Sequence, residues 1–108
     1  MEYVSYGDFA RLQMRVARVV SAESIPGKTR IMRGVVDLGD QTRTVIIGGA
    51  QYYEPGEMVG RAVVVLANLE PRTVAGIRSE AMLLAADVDD KPFWLEVPDD
   101  VPSGSPIL

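Results

Sequence analysis

The chain has 108 residues, with 11 Lys and Arg against 15 Asp and Glu for a net charge of −4, and it contains neither Cys nor His. A length like this predicts one domain spanning residues 1–108, burying roughly two-thirds of its unfolded surface, with no room for a second lobe. Without Cys or His the usual zinc, haem and iron–sulfur sites, thiol nucleophiles, disulfide frameworks and Ser-His-Asp triads are excluded, which leaves only carboxylate, Lys, Tyr or Ser chemistry.

The start, Met1-Glu2-Tyr3-Val4-Ser5, has neither the basic nor the apolar stretch of a secretory signal, so a cytoplasmic protein is expected. Ser5-Tyr6-Gly7-Asp8 has the spacing of a capping box and leads into Phe9-Ala10-Arg11-Leu12, predicting a short N-terminal helix. From Met14 to Ser24 the residues become β-branched and half-polar. Their alternation slips at Arg18-Val19-Val20, as in a bulged, strongly bent strand. Pro26-Gly27 ends it. Met32, Gly34, Val36 and Leu38 then alternate with Ile31, Arg33, Val35 and Asp37, and Gly39-Asp40 turns the chain into a second run, Thr42 to Ile47. After Gly48-Gly49, the segment from Pro55 to Met58 reads as one helical turn. Arg61 to Ala67 reads as a fully buried strand; its apolar part is far shorter than the ~20 residues that span a bilayer, so no membrane association is expected. Residues 68–76 show no period and read as a loop, and Arg78 to Ala86 reads as a fifth strand.

Five short strands with a small helix between the third and fourth predict an all-β, five-stranded OB-fold barrel, with a core over about 8–87 and a C-terminal extension over 88–108. The extension reads as an appendage. In it Phe93, Leu95 and Val97 share one face of a strand and Trp94 lies on the other. Trp94 therefore either caps the barrel or belongs to a subunit interface.

Charge is unevenly placed: residues 87–108 hold 6 of the acidic side chains and a single basic one, while 9 of the 11 basic residues in the chain are Arg, the better phosphate fork. Two patterns are decoys. Ala22 to Thr29 loosely fits a phosphate-binding loop, yet Arg30 onward alternates with period two, so the helix whose N-terminus would cradle phosphates has no sequence to form it. Asp89/Asp90 and Asp99/Asp100 sit among Pro, Ser and Gly and read as solvated acids rather than catalytic or metal-binding pairs. No catalytic residue, metal or cofactor is expected. Lys28, Arg30, Arg33 and Arg43 lie on or beside the second and third strands, and Arg72 and Arg78 flank the loop before the fifth. In an OB barrel both regions border one groove, where oligonucleotides are bound by cations along the backbone. Tyr52-Tyr53 is the one aromatic pair, and packing of one ring in the core is favoured over base stacking by both.

Five ordered blocks resemble a known family: Asp8 to Val16, Val36-Asp37-Leu38-Gly39, Tyr52-Tyr53-Glu54-Pro55, Val63 to Pro71 and Gly76 to Leu84. They are similar to the tRNA-binding domains related to the methionyl-tRNA synthetase β-subunit. The resemblance implies a non-enzymatic OB-fold homodimer that binds folded tRNA by shape and phosphate contacts. It implies assistance to aminoacylation, with a separate methionyl-tRNA synthetase catalytic subunit as a possible partner. Carried over by position, Asn68 and Ser79 would hydrogen-bond to RNA, Met82 would offer a soft contact, and Arg30, Arg33, Arg72 and Arg78 would meet phosphates. Structural roles stay open: Asn68 fixing a turn, Ser79 satisfying backbone groups, Met82 in the core. The family's Ala-Asp-Lys is Lys28-Thr29-Arg30 here, the Gly of its Ser-x-Gly-Met is Ala81, and two usually basic positions are Thr73 and Ala75. These departures resemble the export-related chaperones of CsaA type, which bind unfolded polypeptides, and that is the alternative reading.

Overall fold

The computed structural model describes residues 1–108. Ser5 caps the opening helix α1 (Tyr6–Ala10), its Oγ accepting from the Asp8 N–H at 3.0 Å, and α1 buries none of its residues. The barrel follows: β1 (Met14–Ser24), β2 (Ile31–Asp37), β3 (Thr42–Gly48), the single turn α2 (Pro55–Met58) and β4 (Ala62–Leu66). Neither helix is long and apolar enough to cross a membrane.

β1 organises the sheet. Its first half pairs antiparallel with β4, from Met14↔Leu66 to Arg18↔Ala62, and its second half with β2, from Arg18↔Asp37 to Ser24↔Met32. The register slips between Val19 and Ser21, where the alternation falters in the sequence, and the bulge bends one strand enough to serve both partners. Around the bulge the ladder is rebuilt from outside, the Val19 N–H donating to Arg61 O and the Gly60 N–H to Val19 O. The inward faces of β1 to β4 supply Val19, Met32, Val36, Val45, Ile47, Val63 and Val65, which close with Met58 of α2 into one core. Gly34 belongs to it by what it lacks: a Cβ there would meet Ile47 Cδ1 at 2.5 Å.

The predicted loop over 68–76 and the predicted continuous strand from Arg78 to Ala86 are both revised. β5 (Arg72–Val74) and β6 (Ile77–Ser79) form a two-stranded ribbon that turns at Ala75 and Gly76, both at positive φ. The fifth barrel strand is only β7 (Met82–Leu83), paired with β4, so the sheet order is β3-β2-β1-β4-β7. β8 (Ala85–Val88) then leaves the barrel to pair with β9 (Lys91–Trp94). The strand-like run breaks because no barrel edge lies beside all of it.

Side chains stitch the barrel's seam. Between β3 and the segment after β6, the Glu80 N–H donates to Thr44 O at 3.0 Å, and the Ile46 N–H donates at 3.0 Å to Ser79 Oγ, a hydroxyl standing where a ladder carbonyl would be. The Ser79 hydroxyl donates on to Ala81 O, and the Arg43 guanidinium crosses the same seam to Ala67 O and Glu80 O.

The C-terminal extension lies along the barrel and pairs with its edges. Val64 N–H donates to Leu95 O and Val97 N–H to Ala62 O, so residues 95–97 extend the β7 edge of β4. Val16 N–H donates to Ser105 O and Ile107 N–H to Met14 O, so residues 105–107 line the free edge of β1. Between those edges Val16 and Val64, cross-strand partners on the outward face, are buried to 1% and 8% exposure. Gly104, at φ +87°, lies so close to Leu38 O that no Cβ fits. Trp94 takes the barrel-capping role: its ring packs on the core and on Tyr53, with ring centroids 5.7 Å apart. The acids Asp89 and Asp90 form the β8–β9 turn, while Asp99 is drawn to Arg18.

Replacing Gly104 with Ala combines a strained backbone with a steric clash and should destabilise the fold by about 2–4 kcal/mol in chemical denaturation. Ser79→Ala strands the Ile46 N–H at the seam and should cost about 1–3 kcal/mol by the same measurement. An unchanged midpoint would show that the hydroxyl closes nothing.

Candidate nucleic-acid interface

Strand alternation decides which side chains face outward. On β2 and β3 the cross-strand pairs Ile31↔Gly48 and Arg33↔Ile46 look away from the core, whereas Met32 and Ile47 point into it. Beyond β3 the surface continues onto the ribbon, where Arg72↔Ser79 pair on one face and Thr73↔Arg78 on the other. These outward faces form a groove of about 450 Å³. Ile31, Ile46, Leu69, Ala81 and Met82 give it an apolar lining, and Glu70, Arg72 and Ser79 its polar atoms.

The structure brings only some of the predicted site residues together. Arg72, Ser79 and Met82 line the groove, and Met82 is 43% exposed rather than core. Lys28 and Arg30 are exposed in the turn before β2; Arg30 O accepts from the N–H groups of Gly49 and Ala50, which anchors that turn at the groove's Gly48 end. Arg33 lies on the outer face two residues from Ile31, with its Nη1 3.0 Å from Glu23 Oε1. Arg43 and Asn68 lie near the groove but do not line it. Arg43 is committed to the seam, and Asn68 clamps the chain after α1: its Oδ1 accepts from the Gln13 N–H at 2.8 Å and its Nδ2 donates to Arg11 O at 2.6 Å. Arg78 projects from the ribbon face opposite Arg72.

The floor of the groove is not legible in the sequence. Ile31 and Ile46 alternate with core residues and so read as ordinary outward positions, and Leu69 lay in a segment without period. Only the pairing register brings them together. Among the cations of the region, Lys28, Arg30, Arg72 and Arg78 have no ion-pair partner; the four ion pairs of the chain use Arg11, Arg18, Arg33 and Arg61. Tyr53 donates through its hydroxyl to Pro92 O at 2.7 Å and packs on the core, while Tyr52 is exposed beside Lys91, off the groove. The Lys28 turn is followed by β2 rather than a helix, which disposes of the phosphate-loop pattern.

The family model described as "Putative tRNA binding domain" matches residues 14–106. Among curated proteins, a methionine–tRNA ligase of Clostridium tetani is 42% identical over 98% of this chain, and one of Methanopyrus kandleri 47% identical over 89%. The chain spans only 17% and 14% of those proteins' lengths. Among solved structures, a MetRS-related protein from Pyrococcus horikoshii superposes with a TM-score of 0.94 at 32% identity, covering 100% of both chains. The chaperone CsaA from Bacillus anthracis superposes with a TM-score of 0.88 at 25% identity, covering 99% of this chain and 100% of that one. A barrel of this topology, matched by the family model over nearly its whole length, identifies the chain as a member of the tRNA-binding domain family.

Proposed function

We propose that residues 1–108 act as one non-catalytic tRNA-binding unit that takes folded tRNA along the outer face of β2 and β3. The observation that carries this reading is the groove itself, an apolar floor edged by Arg72 and approached by Lys28 and Arg30, all three cations free of carboxylate partners. Exposed cations meet phosphates and apolar surface meets bases or sugars, without any base edge being read. Working beside a methionyl-tRNA synthetase catalytic unit, in the cytoplasm, such a module assists aminoacylation by raising the local concentration of tRNA.

We further propose that it does so as a homodimer. The exposed apolar residues Val4, Tyr6, Phe9 and Leu12 converge on one side of the N-terminal segment, and Phe93 and Leu95 are also exposed. A second copy would cover what one chain leaves in water. Trp94, packed inward, is not part of this face.

A second reading has its own support. The groove floor carries five apolar residues and Glu70 lies among the polar ones, a surface also suited to unfolded polypeptide, and CsaA shares the fold.

Titrating folded tRNA at two salt concentrations, with an unfolded polypeptide as parallel ligand, separates the two. The tRNA reading predicts saturable, salt-sensitive binding of tRNA alone. Arg72→Ala should weaken all tRNAs alike and reduce the slope of log K against log salt by about one, and Arg78→Ala, on the other ribbon face, should do less. Polypeptide binding that is indifferent to salt would install the chaperone reading instead. For the dimer, Phe9→Glu should convert the protein to a monomer in light scattering; wild type already monomeric at micromolar concentration would contradict it.

A further inference from the structure

Arg33 differs from the other exposed cations around the groove. It stands directly across from Glu23 in the β1–β2 register, and its guanidinium holds that carboxylate at 3.0 Å. On its other side it is the cross-strand partner of Ile46 on the groove floor. Both members of the pair are well exposed, the side chains at 41% and 65%. An ion pair this open to water contributes little to stability, so the fold does not need it, and either partner exchanges readily. What the pair changes is the charge that the outer face offers to a polyanion. The Glu23 carboxylate makes the contact with Arg33 that a phosphate would make, in the same charge-assisted hydrogen-bonding mode.

We propose that Glu23 is an affinity-setting residue: it occupies Arg33 as an internal phosphate mimic, and RNA must displace it to use the full cationic edge of the groove. The proposal rests on the tRNA-binding reading above. Its consequence is that a phosphate reaches Arg33 only in competition with Glu23, which lowers wild-type affinity and eases release. Removing the carboxylate should therefore create one phosphate contact without altering a residue that lines the groove.

The test uses the full chain and unfractionated folded tRNA. Glu23→Gln should bind roughly three- to tenfold tighter near 0.1 M salt, with a salt slope steeper by about one. Arg33→Ala leaves the Glu23 carboxylate uncompensated and should weaken wild-type binding, and Glu23→Gln should gain several-fold less in the Arg33→Ala background than in wild type, a non-additivity that unspecific electrostatics cannot produce. Asp99→Asn, which removes the same charge beside Arg18 and the Gly60 carbonyl, serves as control. The proposal is overturned if Glu23→Gln and Asp99→Asn tighten binding equally, or if Glu23→Gln leaves a measurable tRNA affinity unchanged. Absence of tRNA binding by both wild type and Glu23→Gln would overturn the parent reading and this proposal together. Thermal unfolding of each variant separates a binding effect from a folding one.

Discussion

A small barrel has to leave no main-chain edge unpaired inside it, and most of this molecule follows from how that demand is met. β1 is too straight an object, as an ordinary strand, to pair with both β4 and β2; the bulge at Val20 bends it so that Arg18 is the last partner of one and the first of the other. The seam between β3 and the chain after β6 is too short for a regular ladder, so Ser79 and Arg43 complete it with side-chain atoms. Residues 95–97 and 105–107 cover the remaining edges of β4 and β1. The groove proposed to bind RNA is what remains outside after those requirements are satisfied: the outward residues of β2 and β3, walled by the β5–β6 ribbon.

This order of priorities explains the fate of the site residues. Ser79 belongs to the seam and the groove at once, which makes it a support for the surface that RNA would meet. Arg43 and Asn68, although polar and near the face, are held by backbone groups of the barrel end and of the segment after α1. Arg72 is left free because its partner strand presents Ser79 rather than an acid. Of the acids of residues 87–108, Asp89 and Asp90 turn the β8–β9 hairpin, Asp99 reaches Arg18 and Glu96 pairs with Arg61, while Asp87 and Asp90 line a second depression beside Gly48 and Gly49. Net charge therefore says little about this protein, and local placement decides which surface attracts a polyanion.

Much of the barrel was legible in the sequence because its strands are half-buried and alternate, so that Met32, Gly34 and Val36 announce an inner face and the slip at Val20 announces a bend. The cap at Ser5, the hairpin turn at Gly39 and the helical turn at Pro55 rest on local chemistry that needs no tertiary context. What could not be read depends on pairing. The β5–β6 ribbon is three residues per strand, too short for a period to emerge, and β7 and β8 look continuous because both are apolar, though they belong to different sheets. Likewise the cations near the groove could be listed from the sequence, but only the register shows that Arg72 and Arg78 face opposite ways and that Arg33 is already held by Glu23.

Methyl NMR of the Ile and Met side chains during a tRNA titration asks whether folded tRNA occupies the proposed groove on the outer face of β2 and β3. Saturable, salt-reversible shifts are expected at Ile31, Ile46 and Met82, with the core methyls of Met32 and Met58 unmoved. Binding of tRNA that leaves the three groove methyls unchanged, or movement of those methyls only when an unfolded polypeptide is added, would contradict that placement of the RNA.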